Sequence, residues 1–149
     1  MSYLKGIPSN ISSDLLKALA DMGHGDLLVI ADHFYPPHSK TPNGIMVDAK
    51  GCGAAEIIDS ILKLMPLDIE YEAHPVEYMV PDADSGMHIE KQRVWEDAIV
   101  AVENNGYKRE IVSAIERSRF YEKAGRAFLT VCTSEVQPYG CFLMQKGVM

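Results

Sequence analysis

Five residues able to move protons or hold a polar ligand fall within fifteen positions: His24, Asp26, Asp32, His33 and His38. Histidine suits proton transfer because its ordinary pKa of ~6.5 lets it give or take a proton at neutral pH. His24 stands between Gly23 and Gly25, whose missing side chains leave an imidazole open to a ligand. Asp26 and Asp32 supply carboxylates that can orient such a histidine or tune it. The same residues also read as plain structure: Gly23 as an αL helix terminator, His24 as a surface turn residue, His33 and His38 as loop residues satisfied by backbone groups. Spacing alone does not separate the two readings. A second cluster, Arg117, Arg119, Tyr121 and Arg126, is cationic and phenolic in an otherwise acidic chain. Arg117 and Tyr121 are four apart and share a face if a helix begins early enough. Such residues suit a hydroxyl-rich ligand, although a surface helix carries them too. Tyr139-Gly140 reads equally as a hairpin turn.

Other chemistries fit less well. His24, Asp32, His33 and His38 are metal-ligand types, but no pair has the His-Glu-x-x-His spacing and no cysteine stands in register. A zinc-dependent hydrolase is therefore a weak rival. The stretch from Asp82 to Gly86 begins like a calcium loop, yet its glycine is fifth and its twelfth position is Arg93, where a bidentate Glu belongs; it reads as a turn. Gly51-Cys52-Gly53 is similar to a dinucleotide turn, but Glu56 occupies the third glycine position and repels a pyrophosphate.

The elements that must position these residues follow from periodicity and punctuation. Ser12 or Ser13 can cap a first helix carrying Asp14 in its first turn and Leu15, Leu16, Leu19 and Met22 at helical spacing. Leu27–Ala31 is a continuously apolar run of the kind found in a buried strand. Residues 32–44 read as loop from their prolines and Asn-Gly, and Ile45–Val47 as a short strand. A helix is expected from Ala54 to Leu64, stopped by Pro66, with Ile57, Ile58, Ile61, Leu62 and Met65 on its apolar face. A strand follows at Val76–Val80. A longer helix carries Ile89, Val94, Trp95 and Ile99 and ends near Asn105-Gly106. The last third holds a segment at Ile111–Ile115, a short helix around Arg119–Arg126, and strands at Ala127–Thr133 and Cys141–Gln145. Helices alternating with short apolar strands predict an α/β fold, a single three-layer domain over residues 1–149 with a mostly parallel central sheet flanked by helices. In such sheets ligands bind beyond the carboxyl ends of the strands. The loop that begins at Asp32 lies at such an end.

The bulk properties agree. The chain has 149 residues, enough for one substantial core, with 47% hydrophobic and 23% charged residues. Fourteen Lys and Arg against twenty-one Asp and Glu leave a net charge of −7. That balance disfavours nucleic acid and anionic membrane surfaces. Cys52, Cys132 and Cys141 are an odd number with no C-x-x-C pair, which suits a reducing compartment. The start, Met1-Ser-Tyr-Leu-Lys-Gly-Ile-Pro, has no apolar leader region, so a cytoplasmic location is expected.

Taken together, the chain resembles the L-fucose mutarotase and D-ribose pyranase family. The likeness runs through Leu4-Lys5-Gly6-Ile7, Leu15-Leu16-Lys17-Ala18-Leu19-Ala20-Asp21-Met22-Gly23-His24-Gly25-Asp26, Asp32-His33-Phe34 and Pro37-His38-Ser39. It resumes at Arg117, Phe120-Tyr121-Glu122-Lys123-Ala124 and Ala127-Phe128, and closes with Tyr139-Gly140 and Lys146-Gly147-Val148. The Met-Gly-His-Gly-Asp block joined to Phe-Tyr-Glu is the specific part. The loop content and the Arg117…Phe-Tyr-Glu arrangement put the chain nearer the fucose branch. The resemblance implies an isomerase that exchanges the anomers of a free monosaccharide, L-fucose or a related sugar, without metal or organic cofactor. It also implies a homo-oligomeric ring, a decamer in the best-known cases, with pockets shared between neighbours. By the same likeness His24 is the proton donor, Asp32 binds sugar and Arg117 lies at the pocket; Tyr121 and Tyr139 are placed beside them as walls or hydroxyl partners. The family's closing Tyr-Gly-Asn falls on Tyr139, Gly140 and Cys141, so a thiol replaces an amide that can both donate and accept. That change bears on sugar preference. It also motivates a second reading, a non-catalytic sugar-binding or regulatory module.

Overall fold

Ser12 opens the first helix. Its Oγ accepts the Leu15 backbone N–H at 3.1 Å, and α1 runs Ser13–Asp21 with Leu15, Ala18 and Leu19 buried. This computed structural model describes residues 4–149; Met1 to Tyr3, the start of the stretch read as lacking a leader, lie outside the described residues. The expected αL terminator at Gly23 is not used. Met22 ends α1 in extended geometry and the left-handed glycine is Gly25, at φ 86°. The reason is a different cap: the Lys146 ammonium donates to the carbonyls of Leu19 at 2.8 Å and Met22 at 2.6 Å. A cation there satisfies orphan carbonyls and complements the helix dipole.

The remaining elements are β1 (Leu27–Ala31), α2 (Pro37–Lys40), β2 (Ile45–Ala49), α3 (Ala54–Leu62), β3 (Val76–Val80), α4 (Arg93–Asn104), β4 (Val112–Glu116), α5 (Arg117–Ala124), β5 (Leu129–Thr133) and β6 (Phe142–Gln145). Several bounds shift by one or two residues, and three details differ in kind or bear on the site. The proline-rich loop contains one helical turn, because Pro37 occupies the first helical position, where its missing N–H costs nothing. The longer helix starts only at Arg93, leaving Ile89 in the preceding loop but still packed on the core. The last helix starts at Arg117, two residues before the expected Arg119.

The six strands form one sheet in the order β2-β5-β1-β6-β3-β4. Pairs β2/β5, β5/β1 and β3/β4 are parallel, and β6 runs antiparallel between β1 and β3. The sheet is thus mostly parallel, with its one reversed strand at the centre. Both faces are covered, which is why β1 is apolar at every position. Leu28 and Ile30 face the core shared with α1, α3 and α4, while Val29 and Ala31 face a smaller core with Tyr35, Phe120 and Ala124. Helices on both sides make three layers. Among the described residues no helix is long and apolar enough to cross a membrane.

α5 is the element that carries Arg117 and Tyr121, and two interactions seat it. Phe120 is fully buried beneath it, and Lys123 pairs with Glu77 of β3, both half-shielded from water. Replacing Phe120 by Ala is expected to lower stability by roughly 3–5 kcal/mol in urea denaturation, from lost burial and the cavity left behind.

Candidate functional site

At the carboxyl end of β1, Asp32 sits almost out of water, with 8% of its surface exposed. Its Oδ1 accepts the Phe34 N–H at 3.0 Å, and its own N–H donates to Cys141 Sγ at 3.5 Å. Burial pushes the Asp32 carboxyl above the usual carboxylate range; Phe34, Cys141, Tyr35 and Gly140 pull the other way without cancelling it. Around it opens a cavity of about 280 Å³, lined by Asp32, Tyr35, Arg117, Tyr121, Tyr139 and Cys141 together with Phe34, Met79 and Pro138. That volume is small for a ligand site, at the low end of ~300–1,000 Å³. It suits a single ring-sized molecule.

The walls come from four places in the chain. The early start of α5 puts Arg117 and Tyr121 one turn apart, with the guanidinium carbon 4.9 Å from the Tyr121 ring centre. Lys40 of α2 approaches the same ring, its Nζ at 4.4 Å. The N-terminus of α5 is held by Asp82, whose Oδ1 accepts the Ser118 N–H at 3.0 Å and hydroxyl at 2.9 Å. So the turn that began like a calcium loop is a helix cap supplied from another loop. Tyr35, beneath the cavity, shares a hydrogen bond with Thr41 at 3.1 Å, and burial pushes its phenol up to about 12.

The fourth wall is residues 137–141. Tyr139 has φ 62°, a left-handed backbone that costs a bulky residue on the order of 1–3 kcal/mol. Gly140 follows because nothing larger fits: a Cβ there would meet Glu135 Cγ at 2.8 Å and the Gln137 carbonyl at 3.0 Å. Glu135 braces this turn. One carboxylate oxygen accepts the Ala54 N–H at the start of α3, the other the Gln137 N–H, and its carbonyl accepts the His33 N–H at 2.7 Å. Cys141 is buried, and burial followed by the Asp32 charge raises its thiol well above the ordinary value. It stays protonated at neutral pH.

The five sequence-predicted binding residues, Asp32, Arg117, Tyr121, Tyr139 and Cys141, therefore meet in one place. His24 does not join them within the chain. It precedes β1 whereas Asp32 follows it, and five residues of strand already separate the ends by about 13 Å. Around His24 is a different arrangement. Its Nε2 lies 3.2 Å from Oδ2 of Asp68, a carboxylate 2% exposed that also accepts from Gln145 Nε2 at 2.8 Å. Burial raises that carboxyl, but Gln145, His24 and Tyr71 outweigh it, and the net shift is downward. Tyr71 lies 5.0 Å from the imidazole, ring centre to ring centre. The histidine's turn is rigid: Asp26 accepts the Gly23 N–H at 2.7 Å, and the Gly25 N–H donates to the Lys146 carbonyl at 2.8 Å. Asp26 is thus a turn brace, and His33 and His38 are exposed outside the cavity lining. Among the described residues no group of three His, Cys, Asp or Glu is placed to hold a metal ion.

Sequence reading missed Phe34, Tyr35, Met79 and Pro138 as lining residues, and Asp68 beside His24. The first two were findable, since they follow Asp32 in a loop at a strand's carboxyl end. Asp68 carried no local signal; only β6, through Gln145, brings it to the histidine.

Chemically, the cavity offers a buried acid with a raised pKa, a guanidinium, three phenols and an exposed aromatic rim at Phe34. That set of donors and acceptors suits a polyhydroxylated ring. The chain matches the RbsD / FucU transport protein family over residues 5–149. It is 38% identical over 152 residues to a fucose mutarotase of Homo sapiens, covering 100% of this chain and 96% of that protein. Its fold matches a crystal structure of the fucose mutarotase from Streptococcus pneumoniae in complex with L-fucose, with TM-score 0.86, 37% identity, and 98% and 99% of the two chains covered. The Bacillus subtilis RbsD structure complexed with D-ribose is similar in fold, with TM-score 0.69 at 19% identity over 93% of this chain and 95% of that one.

A carboxyl whose folded pKa lies above its unfolded one binds its proton more tightly in the folded state, so stability falls as pH rises between the two values. Asp32→Asn has no charge to bury and keeps an oxygen for the Phe34 N–H. Its melting temperature is expected to exceed that of the parent at pH 7, and the gain to vanish as pH falls toward the ordinary Asp value of ~3.9. Calorimetry across that range checks it.

Proposed function

The chain belongs to the RbsD / FucU transport protein family, and from that premise we propose that it is a mutarotase exchanging the α and β anomers of L-fucose or a closely related free sugar. The observation that carries the reading is the cavity itself, which gathers Asp32, Arg117, Tyr121 and Tyr139 from distant parts of the chain around room for one ring. Mutarotation opens the hemiacetal by protonating the ring oxygen and removing the anomeric hydroxyl proton, then recloses it on the other face. Asp32 and Arg117 hold sugar hydroxyls, and Tyr121 and Tyr139 wall the ring. Proton transfer near neutral pH needs another group, because burial raises the phenols of Tyr35 and Tyr121 and the thiol of Cys141.

That group is His24, supplied by a second copy of the chain. The length of β1 keeps a protomer's own His24 from its own Asp32. The surface beside His24 is also apolar and open, with Tyr71 73% and Ile69 55% exposed, as a face awaiting a partner is. Contacts of this head-to-tail kind close into rings, and the assembly proposed is the family's decamer. Asp68 sits behind the imidazole and fixes its orientation, leaving Nδ1 to face the sugar. The protein acts in the cytoplasm, where three unpaired thiols are at home. The Cys141 thiol serves the Asp32 backbone, so its presence removes no wall of the cavity and does not favour a non-catalytic module.

His24→Ala is expected to cut anomer exchange of L-fucose, followed by saturation-transfer NMR, by about 10²–10⁴-fold. A variant that still accelerates exchange overturns the assignment. Mixing His24→Ala with Asp32→Ala chains, each inactive alone, is expected to restore activity through hybrid sites, whereas a site contained in one chain gives none. Asp68→Asn is expected to lower kcat on the order of tenfold to a hundredfold with KM little changed, since it disturbs proton transfer and not sugar contacts.

A further inference from the structure

The left-handed Tyr139 is held from the far layer of the fold. Trp95, at the start of α4, is 5% exposed and does not line the cavity, yet its indole N–H donates to the Tyr139 carbonyl at 2.8 Å. Two neighbours do the same for adjacent residues. Gln92 Nε2 donates to the Pro138 carbonyl at 2.7 Å, and the Val94 N–H donates to Oε1 of Gln137 at 2.9 Å. Three consecutive loop residues are therefore stitched to the first turn of α4. The exchange is reciprocal: Gln92, at the N-cap position, makes no side-chain cap, and Gln137 takes a free helix N–H in its place. The indole itself is fixed by Tyr78, its ring centre 5.0 Å away.

We propose that Trp95, assisted by Gln92, is a positioning residue for the sugar site: it locks the Tyr139 peptide in its left-handed form and so aims the Tyr139 side chain into the cavity. A residue in a sparsely populated backbone region stays there only while its surroundings over-determine it. Among the described residues, the hydrogen bond from Trp95 is the one made to the strained residue itself. Without it the peptide relaxes, Tyr139 leaves the wall, and the sugar is held less tightly while His24 chemistry is untouched. The inference rests on the cavity being the sugar site.

Trp95→Phe keeps an aromatic ring against Tyr78 and deletes only the donor. It is expected to melt within a few degrees of the parent. Its KM for L-fucose in anomer exchange is expected to rise about tenfold, the worth of one buried hydrogen bond, with kcat within about threefold. In a Tyr139→Ala background the same substitution is expected to change KM less than about twofold, because the two act through one contact. A folded Trp95→Phe with the parent's KM overturns the proposal, and so does an effect that simply adds to that of Tyr139→Ala. If Trp95→Phe does not fold, Gln92→Ala carries the test: a KM raised about threefold supports the clamp, and an unchanged KM overturns it. A parent protein stabilised by L-fucose but unable to speed exchange sinks the mutarotase reading alone, and the clamp is then read from the dissociation constants of the same variants. A parent that neither binds nor exchanges L-fucose overturns both.

Discussion

The cavity depends on how closely the chain entering β6 passes Asp32. An added Cβ at Gly140 would lie 3.6 Å from the Asp32 Cβ, so the two backbones are nearly in contact. That approach buries the carboxylate, raises its pKa and brings Cys141 beneath it as a thiol partner for its N–H. The preceding residue, Tyr139, has a left-handed backbone. A buried acid and a strained tyrosine thus stand side by side at one tight passage. Glu135 from behind and α4 from the side hold the passage closed.

The reversed β6 is what makes the passage possible. A parallel strand in the central position would deliver its amino end to the opposite edge of the sheet. Running antiparallel between β1 and β3, β6 brings its first residues to the carboxyl ends of the parallel strands, where Asp32 follows β1 and Arg117 follows β4. Its other end serves His24. Gln145 holds Asp68, and Lys146 caps α1 and pins the histidine's turn. One four-residue strand thus organises both the cavity around Asp32 at one end and the surroundings of His24 at the other.

The separation of His24 from Asp32 has a plain physical origin. β1 is rigid, continuously apolar and buried on both faces, so no motion short of unfolding shortens it. A reaction that needs both groups on one sugar must join two copies. In the proposed mechanism the split links activity to assembly, since a lone protomer carries Asp32 and His24 at opposite ends of one strand.

Much of this was readable in the residues. Strand and helix periods located β1 and β3 to the residue and placed the other elements except the short α2 within a few positions, because apolar spacing follows directly from burial. The layered, mostly parallel sheet followed from helix–strand alternation, and the resemblance carried by the Met-Gly-His-Gly-Asp and Phe-Tyr-Glu blocks pointed to a sugar isomerase. Where local rules competed with distant groups, reading failed: Gly23 does not terminate α1 because a lysine 127 residues beyond Leu19 takes the helix carbonyls. Asp68 was silent for the same reason, its role coming through Gln145, 77 positions away. The cluster that first drew notice, His24 with Asp26, Asp32, His33 and His38, was dense in sequence but is spread over both ends of a strand. Local chemistry and secondary structure were determined by the sequence alone, since both depend on near neighbours. Which groups share a cavity was decided only by the tertiary structure, because a buried strand separates residues close in the chain and a reversed one unites residues far apart.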